Sequence, residues 1–211
     1  MKVFKKITIF IFLFLLYFFI CANNYSKAVT CDISDTIFRL HVIANSDKAY
    51  DQELKYKVRD NILNYMNLIS RNTFSKDETI RLIENHLEKF KKIAQNTIYE
   101  NGYNYTVTIE IGNFKFPTKT YGDISFPAGF YDAMQIKIGE GEGQNWWCVM
   151  FPPLCFIDVS SGIVPDESKE LLESNLSEDE YNFISESSGE TKFKFKLVEV
   201  LQNLKISGIF M

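Results

Sequence analysis

Histidine, cysteine, proline and glycine are all scarce in this chain, and each scarcity closes off a class of function. Its 211 residues include two histidines, four cysteines, five prolines and ten glycines. No Gly-x-Ser-x-Gly elbow, no His-Glu-x-x-His pair and no Cys-x-x-Cys occurs, so the common hydrolase, metalloprotease and thioredoxin-type signatures are missing. The one glycine-rich stretch, Gly139-Glu140-Gly141-Glu142-Gly143, leads into a strand and carries two acids where a phosphate would sit. It reads as a hairpin turn. A surplus of base is missing too: lysine and arginine number 23 against 27 acids, for a formal charge of -4. An acidic body does not favour nucleic acid or anionic lipid as its main partner, because both need clustered Lys and Arg.

What is abundant is apolar and aromatic. Lys2, Lys5 and Lys6 precede an uncharged run over 7–22 whose polar break is Thr8. Sixteen residues fall short of the roughly 20 that span a bilayer, so the run reads as a signal-peptide core, with an uncleaved anchor as the alternative. Ser26-Lys27-Ala28 offers small side chains where a signal peptidase reads, which puts the cut after Ala28. Phe19 and Ile20 are too bulky to make Cys21 a lipoprotein site. The expected division is a leader over 1–28 and one domain over 29–211. Losing the leader's four lysines takes the formal charge from -4 to -8. The remaining chain is long enough to bury a core without disulfide staples.

Periodicity along that domain predicts an α+β fold. Residues 38–44 read as a short apolar strand containing His41, followed by helix-start chemistry at Asn45-Ser46-Asp47. Leu54, Val58, Ile62, Met66 and Ile69 then trace one helical face. Ser75-Lys76-Asp77-Glu78 is a capping box opening a second helix through Ile80, Ile83, Leu87, Phe90 and Ala94, stopped at Asn101-Gly102. Two helices so joined should pack antiparallel. Beyond Gly102 the period becomes two: a strand over 105–111, a second at Met134, Ile136 and Ile138, and a third over 146–151. Residues 116–130 read as an ordered loop. In 160–190 nine acids face one base, Lys169, with enough leucine and aromatic residues to dock short helices. A strand over 192–197 and a helix through Val198, Leu201 and Leu204 close the chain. The sum is a single domain: an antiparallel helix pair on a mixed, mostly antiparallel sheet.

The densest feature is Asn145-Trp146-Trp147-Cys148-Val149-Met150-Phe151-Pro152-Pro153-Leu154-Cys155-Phe156, which holds both tryptophans and two cysteines. Alternation sends Trp146, Cys148 and Met150 to one face and Trp147, Val149 and Phe151 to the other. Two apolar faces imply a central, fully covered strand, provided the acidic C-terminal part lies over the second face. A tryptophan left uncovered would anchor a partner. Cys148 and Cys155 lie about 23 Å apart if the run is extended. Buried free thiols are therefore expected, with a disulfide as the alternative if Pro152-Pro153 reverses the chain. A thiol nucleophile at Cys148 or Cys155 assisted by His41 is the best catalytic candidate, but apolar surroundings raise a thiol pKa. His41 in an apolar strand reads as a hydrogen-bonded structural histidine. Zinc held by the thiols and His41 is disfavoured by the distance of Cys31 from the other two cysteines. No cofactor or metal site is expected.

Several blocks together carry a family resemblance. They are Phe38-Arg39-Leu40-His41-Val42-Ile43-Ala44-Asn45-Ser46-Asp47, Asp51-Gln52-x-Leu54-Lys55-x-Lys57-Val58-Arg59-Asp60, Phe116-Pro117-Thr118-Lys119-Thr120-Tyr121-Gly122-Asp123, Phe126-Pro127-Ala128-Gly129, and the tryptophan run. Across 38–158 the chain resembles stage II sporulation protein R of endospore-forming bacteria. The resemblance implies a forespore protein exported into the space between two membranes. There it would trigger a membrane-embedded aspartic protease of the mother cell, stage II sporulation protein GA, which cleaves the sigma-E precursor. It implies a signal without chemistry of its own. The alternative is an extracytoplasmic thiol-dependent hydrolase acting on cell-wall peptide. One departure stands out: Gln135 occupies a position where the family's strand is expected to carry a base. Recognition would then rest on Lys119, Tyr121 and Asp123, on Arg39, Lys57 and Arg59, or on Trp146 and Trp147.

Overall fold

The computed structural model describes residues 2–71, 73–155 and 164–185. The strand expected over 192–197 and the helix after it lie outside these residues. The chain opens with α1 (Lys2–Thr36), then β1 (Phe38–Ile43), α2 (Ala49–Ile69), α3 (Lys76–Asn85) and α4 (Leu87–Glu100). There follow β2 (Val107–Phe116), β3 (Lys119–Tyr121), β4 (Ile124–Phe126), β5 (Gly129–Ile138), β6 (Asn145–Phe151), α5 (Asp166–Asn175) and α6 (Glu178–Ser185). The fold is α+β with a mixed sheet, as the periodicity predicts.

The four-stranded sheet runs β2-β5-β1-β6, with β1 parallel to β5 and the other pairs antiparallel. All six residues of β1 are buried, which is why this short apolar run takes the centre. Among the described residues the tryptophan strand β6 is instead an edge, contrary to expectation. Its apolar character comes from covers on both faces and from an edge that the protein itself closes. The turn over 139–143 is also not a hairpin. It carries the chain from β5 across the end of β1 to β6, and Gly143 N–H donates to the Ala44 carbonyl over 2.9 Å. A Cβ at Gly143 would stand 2.3 Å from the Ser46 carbonyl oxygen, so glycine is required there by close approach.

One face of the sheet carries the helices. Leu40 and Val42 of β1, Met134 and Ile136 of β5, and Cys148 and Met150 of β6 pack on Leu54, Val58 and Ile62 of α2 and Phe90, Ala94 and Ile98 of α4. Asn61 reaches Thr97 and Lys57 reaches Asn101, while Tyr65 reaches His86. Rising numbers on α2 meet falling numbers on α4, so the pair is antiparallel. The Ser75 hydroxyl accepts from Glu78 N–H at 3.3 Å, and Glu78 accepts from Phe74 N–H at 2.8 Å, so the capping box forms as read. The expected single helix breaks at His86, whose ring is held 2.6 Å from the Tyr65 hydroxyl.

The opposite face is covered by other means. Ile33 at the end of α1, Ile37, the aromatic residues Phe116, Phe126 and Tyr131, and Val164, Leu172, Leu176 and Ile184 form a second core around Val149. The acidic C-terminal part thus does cover the second face, as the tryptophan strand requires. Segment 116–130, expected as a loop, contains a small β3–β4 hairpin turned at Gly122, with φ of +57°. Its strands are three residues each, too short for periodicity to reveal. In α1, the stretch Phe4–Cys21 is long and apolar enough to cross a membrane and has no side chain buried in the protein.

Candidate functional site

Two of the quoted sequence blocks, 38–47 and 51–60, meet the 139–144 turn at the carboxyl end of β1. Asn45 Nδ2 donates to the Asp51 carboxylate at 2.9 Å and its side-chain Oδ1 accepts from Glu140 N–H at 3.1 Å. The Ser46 hydroxyl donates to Asp51 at 2.6 Å, and Asp47 accepts from Gln144 N–H at 2.7 Å. Lys55, only 1% exposed, donates to Gln52 at 2.6 Å and to the Gln144 carbonyl at 3.0 Å. Burial, and then the charge of Arg59, hold its ammonium below the ordinary lysine range. These residues latch the 139–144 crossing to the start of α2. The helix accordingly starts at Ala49 with Lys48 as its cap, because Asn45 and Ser46 spend their side chains on Asp51. Asp51, Gln52 and Lys55 are the contributors that site reasoning on the sequence passed over. Their place in the motif block directly after the one holding Asn45 and Ser46 was the available signal.

The two tryptophans take opposite faces, as alternation requires. Trp146 lies under Arg59, whose guanidinium carbon is 4.1 Å from the ring centroid, and edge-on to Tyr56 at 5.7 Å. Trp147 stacks on His41 at 3.7 Å and meets Phe116 at 4.7 Å. His41 Nε2–H donates to Asn145 at 2.7 Å and its Nδ1 accepts from Gln135 at 2.9 Å, which fixes the tautomer. Burial lowers its pKa from 6.5 to about 4; the Asn145 bond opposes this, and Arg39 and Lys137 add to it. The expectation of a structural histidine holds. Phe151 departs from the alternation: the register shifts between Phe38 and Arg39, and Phe151 turns to the helix side.

Cys148 and Cys155 form a disulfide, with their Cα atoms 5.3 Å apart. The expectation of free thiols is thereby corrected. The chain reverses after Phe151, through a cis Phe151-Pro152 bond, and Leu154 N–H donates to the Val149 carbonyl at 3.1 Å. This reversal closes the gap that an extended run would leave. Neither sulfur is available as a thiolate, and His41 is neutral and bonded on both sides. A cavity of about 290 Å³ lies against this turn, lined by Leu63, Met66, Phe74, Met150 and Cys155 among others.

The remaining sequence candidates are scattered. Arg39 is fully buried, donating to the Tyr121 hydroxyl at 3.1 Å and lying over Phe116 at 4.2 Å and Tyr131 at 4.8 Å. Tyr121 donates onward to the Trp147 carbonyl at 3.0 Å, closing the β6 edge at that point. Burial raises its phenol pKa. Asp123 pairs with Lys169 at 2.6 Å and so ties the hairpin to α5. Lys119 is half-buried on β3. Lys57 is exposed and paired with Glu53 at 2.8 Å, whereas Arg59 pairs with Asp60 at 2.6 Å. Arg39, Tyr121 and Trp147 thus form one chain of contacts, and Arg59 and Trp146 another on the opposite face. On the Trp147 side the sheet is partly open. One cross-strand row runs Glu110, Gln135, His41, Trp147, and the next runs Thr108, Lys137, Ile43, Asn145. Glu110, Thr108, Lys137 and Asn145 are exposed. Among the described residues no group of three His, Cys, Asp or Glu side chains could hold a metal ion.

Fold and site together define a small α+β domain, carried behind an apolar helix, whose polar motif residues build architecture. The chain belongs to the stage II sporulation protein R family, whose model matches residues 34–161. It is 40% identical over 138 residues to stage II sporulation protein R of Bacillus subtilis (strain 168). That match covers 65% of this chain and 62% of the relative, so the chain spans less than two thirds of the relative it matches. No solved structure matches. Family membership carries a role in sporulation. Helices α5 and α6 lie beyond the family match yet complete the second core.

Proposed function

We propose that this chain is an exported forespore signalling protein that activates stage II sporulation protein GA, the membrane-bound aspartic protease of the mother cell. Activation leads to cleavage of the sigma-E precursor. The protein acts in the space between the two membranes, either released from its leader or still anchored by it. The observation that carries this reading is the Cys148–Cys155 disulfide. Such bonds persist in oxidising compartments, which supports export, and this one consumes the two thiols that the rival hydrolase mechanism needs. The apolar start of α1 supports the same route.

A ligand activates a protease by binding its active state more tightly than its resting state. This reading assigns that contact to the open strip beside Trp147, where Glu110, Lys137 and Asn145 reach solvent. Gln135, standing where the family resemblance implies a base, lies in the same strip. The test is co-expression in a non-sporulating host of the protease, the sigma precursor and this protein. Precursor cleavage should require the exported domain and should weaken on Lys137→Glu. Cleavage unaffected by leaving the domain out would sink the reading.

A further inference from the structure

Among the described residues, no acid neutralises the charge of Arg39. It is 0% exposed, yet its Nε and Nη1 groups have no hydrogen-bond acceptor, and no acid among the described residues pairs with it. Its hydrogen bond goes to the Tyr121 hydroxyl, the Tyr131 hydroxyl also interacts with it, and the rings of Phe116, Phe126 and Tyr131 pack around it. Aromatic faces offset part of the desolvation cost, but a buried charge without a counter-ion remains expensive. A hydrophobic side chain of similar length would suit this box better.

The wall over that box is the least independent element of the fold. The β3–β4 hairpin has three residues per strand and belongs to no larger sheet. A two-stranded unit of that size is marginal by itself. It is held by Ile124 and Phe126 in the second core, by Tyr121 on the Trp147 carbonyl, and by Asp123 on Lys169. Swinging it aside would uncover a planar fork with free N–H groups, the shape that pairs with a carboxylate in bidentate fashion.

We infer that Arg39 is the buried half of a carboxylate-binding site, closed by the β3–β4 hairpin and opened to receive an acidic side chain of the partner protein. The inference rests on the reading of this chain as a protein ligand. Opening is a minor excursion in the free protein, and the partner's carboxylate draws on it. The charge is kept because the bound state uses it.

Two arms test this, and they fail separately. The first uses the purified exported domain alone, with acetate as the probe and chloride as control at equal ionic strength. Amide hydrogen exchange across 119–126 should change with acetate in the unsubstituted protein and not in Arg39→Met. No acetate-dependent change would overturn the site. The second arm is the cleavage assay. Arg39→Met should cut signalling about tenfold or more, the worth of one charge-assisted pair, without lowering the melting temperature. Arg39→Lys, which keeps the charge and loses the fork, should fall between. A Met variant that signals normally would remove the partner carboxylate, even beside a positive acetate result. A lowered melting temperature would make the guanidinium a structural prop and overturn the proposal as well. If the unsubstituted protein fails to signal, the protease reading falls and the exchange arm still decides the site.

Discussion

His41 sits between two amides and under a tryptophan, and that setting gives the protein a defined response to acid. Its folded pKa, about 4, lies below its ordinary value of 6.5. Above pH 6.5 the ring is neutral in both folded and unfolded chains, so its full contribution to stability is present. As pH falls from 6.5 towards 4 the unfolded chain takes a proton that the folded one refuses, and stability is lost across that window. Replacing His41 by Gln should flatten the dependence of the urea midpoint on pH between 6.5 and 4. An unchanged slope would show the imidazole to be solvated. Trp146 and Arg59 allow a similar argument on the other face. Arg59→Ala should lose packing over the indole and cost on the order of 1 kcal/mol, read in the same titration.

At the level of elements, the parts with strong local chemistry were the most legible. The Ser75–Glu78 cap forms as the sequence pattern requires, and Ser75→Ala should cost about 1 kcal/mol of stability by denaturant titration. Gly102 stops α4 with φ of +83°, again as the composition says. What alternation could not reveal was pairing. The strands β5 and β6 flank a short glycine turn, and adjacency points to a hairpin, but β1 lies between them because its six buried residues need two neighbours. The polar block Asn45, Ser46, Asp47, Asp51, Gln52 and Lys55 then acts as a latch for the crossing. Gly143→Ala would press a methyl group against the Ser46 carbonyl, and a loss of roughly 1–3 kcal/mol is expected. The disulfide departs furthest from what the spacing of the cysteines implies. An extended Pro-Pro would have kept Cys148 and Cys155 apart, whereas the turn after Phe151 brings them together. Reducing it should cost about 2–4 kcal/mol. Alkylation without prior reduction should leave both cysteines unlabelled in a mass spectrum.

On the scale of the whole molecule, the design is a sheet with two unlike covers. Helices α2 to α4 form one, and the end of α1, the β3–β4 hairpin, α5 and α6 form the other. The first cover was readable because each helix carries its own apolar stripe. The second was legible only in part: the acidic segment over 160–190 was seen to be needed, but the share taken by α1 and the hairpin depends on long-range contacts that leave no local period. The proposed partner surface was the least legible, since Arg39, a recognition candidate in the sequence, lies buried in an aromatic box. On the proposed reading the protein works by occupying its partner and not by turning over a substrate. Titrating the exported domain against membranes holding a fixed amount of the protease, with sigma precursor in excess, measures this directly. Cleavage should saturate as the domain reaches the amount of protease, and prior treatment with a thiol-alkylating reagent should change nothing. Full cleavage at a small fraction of that amount, abolished by alkylation, would contradict it.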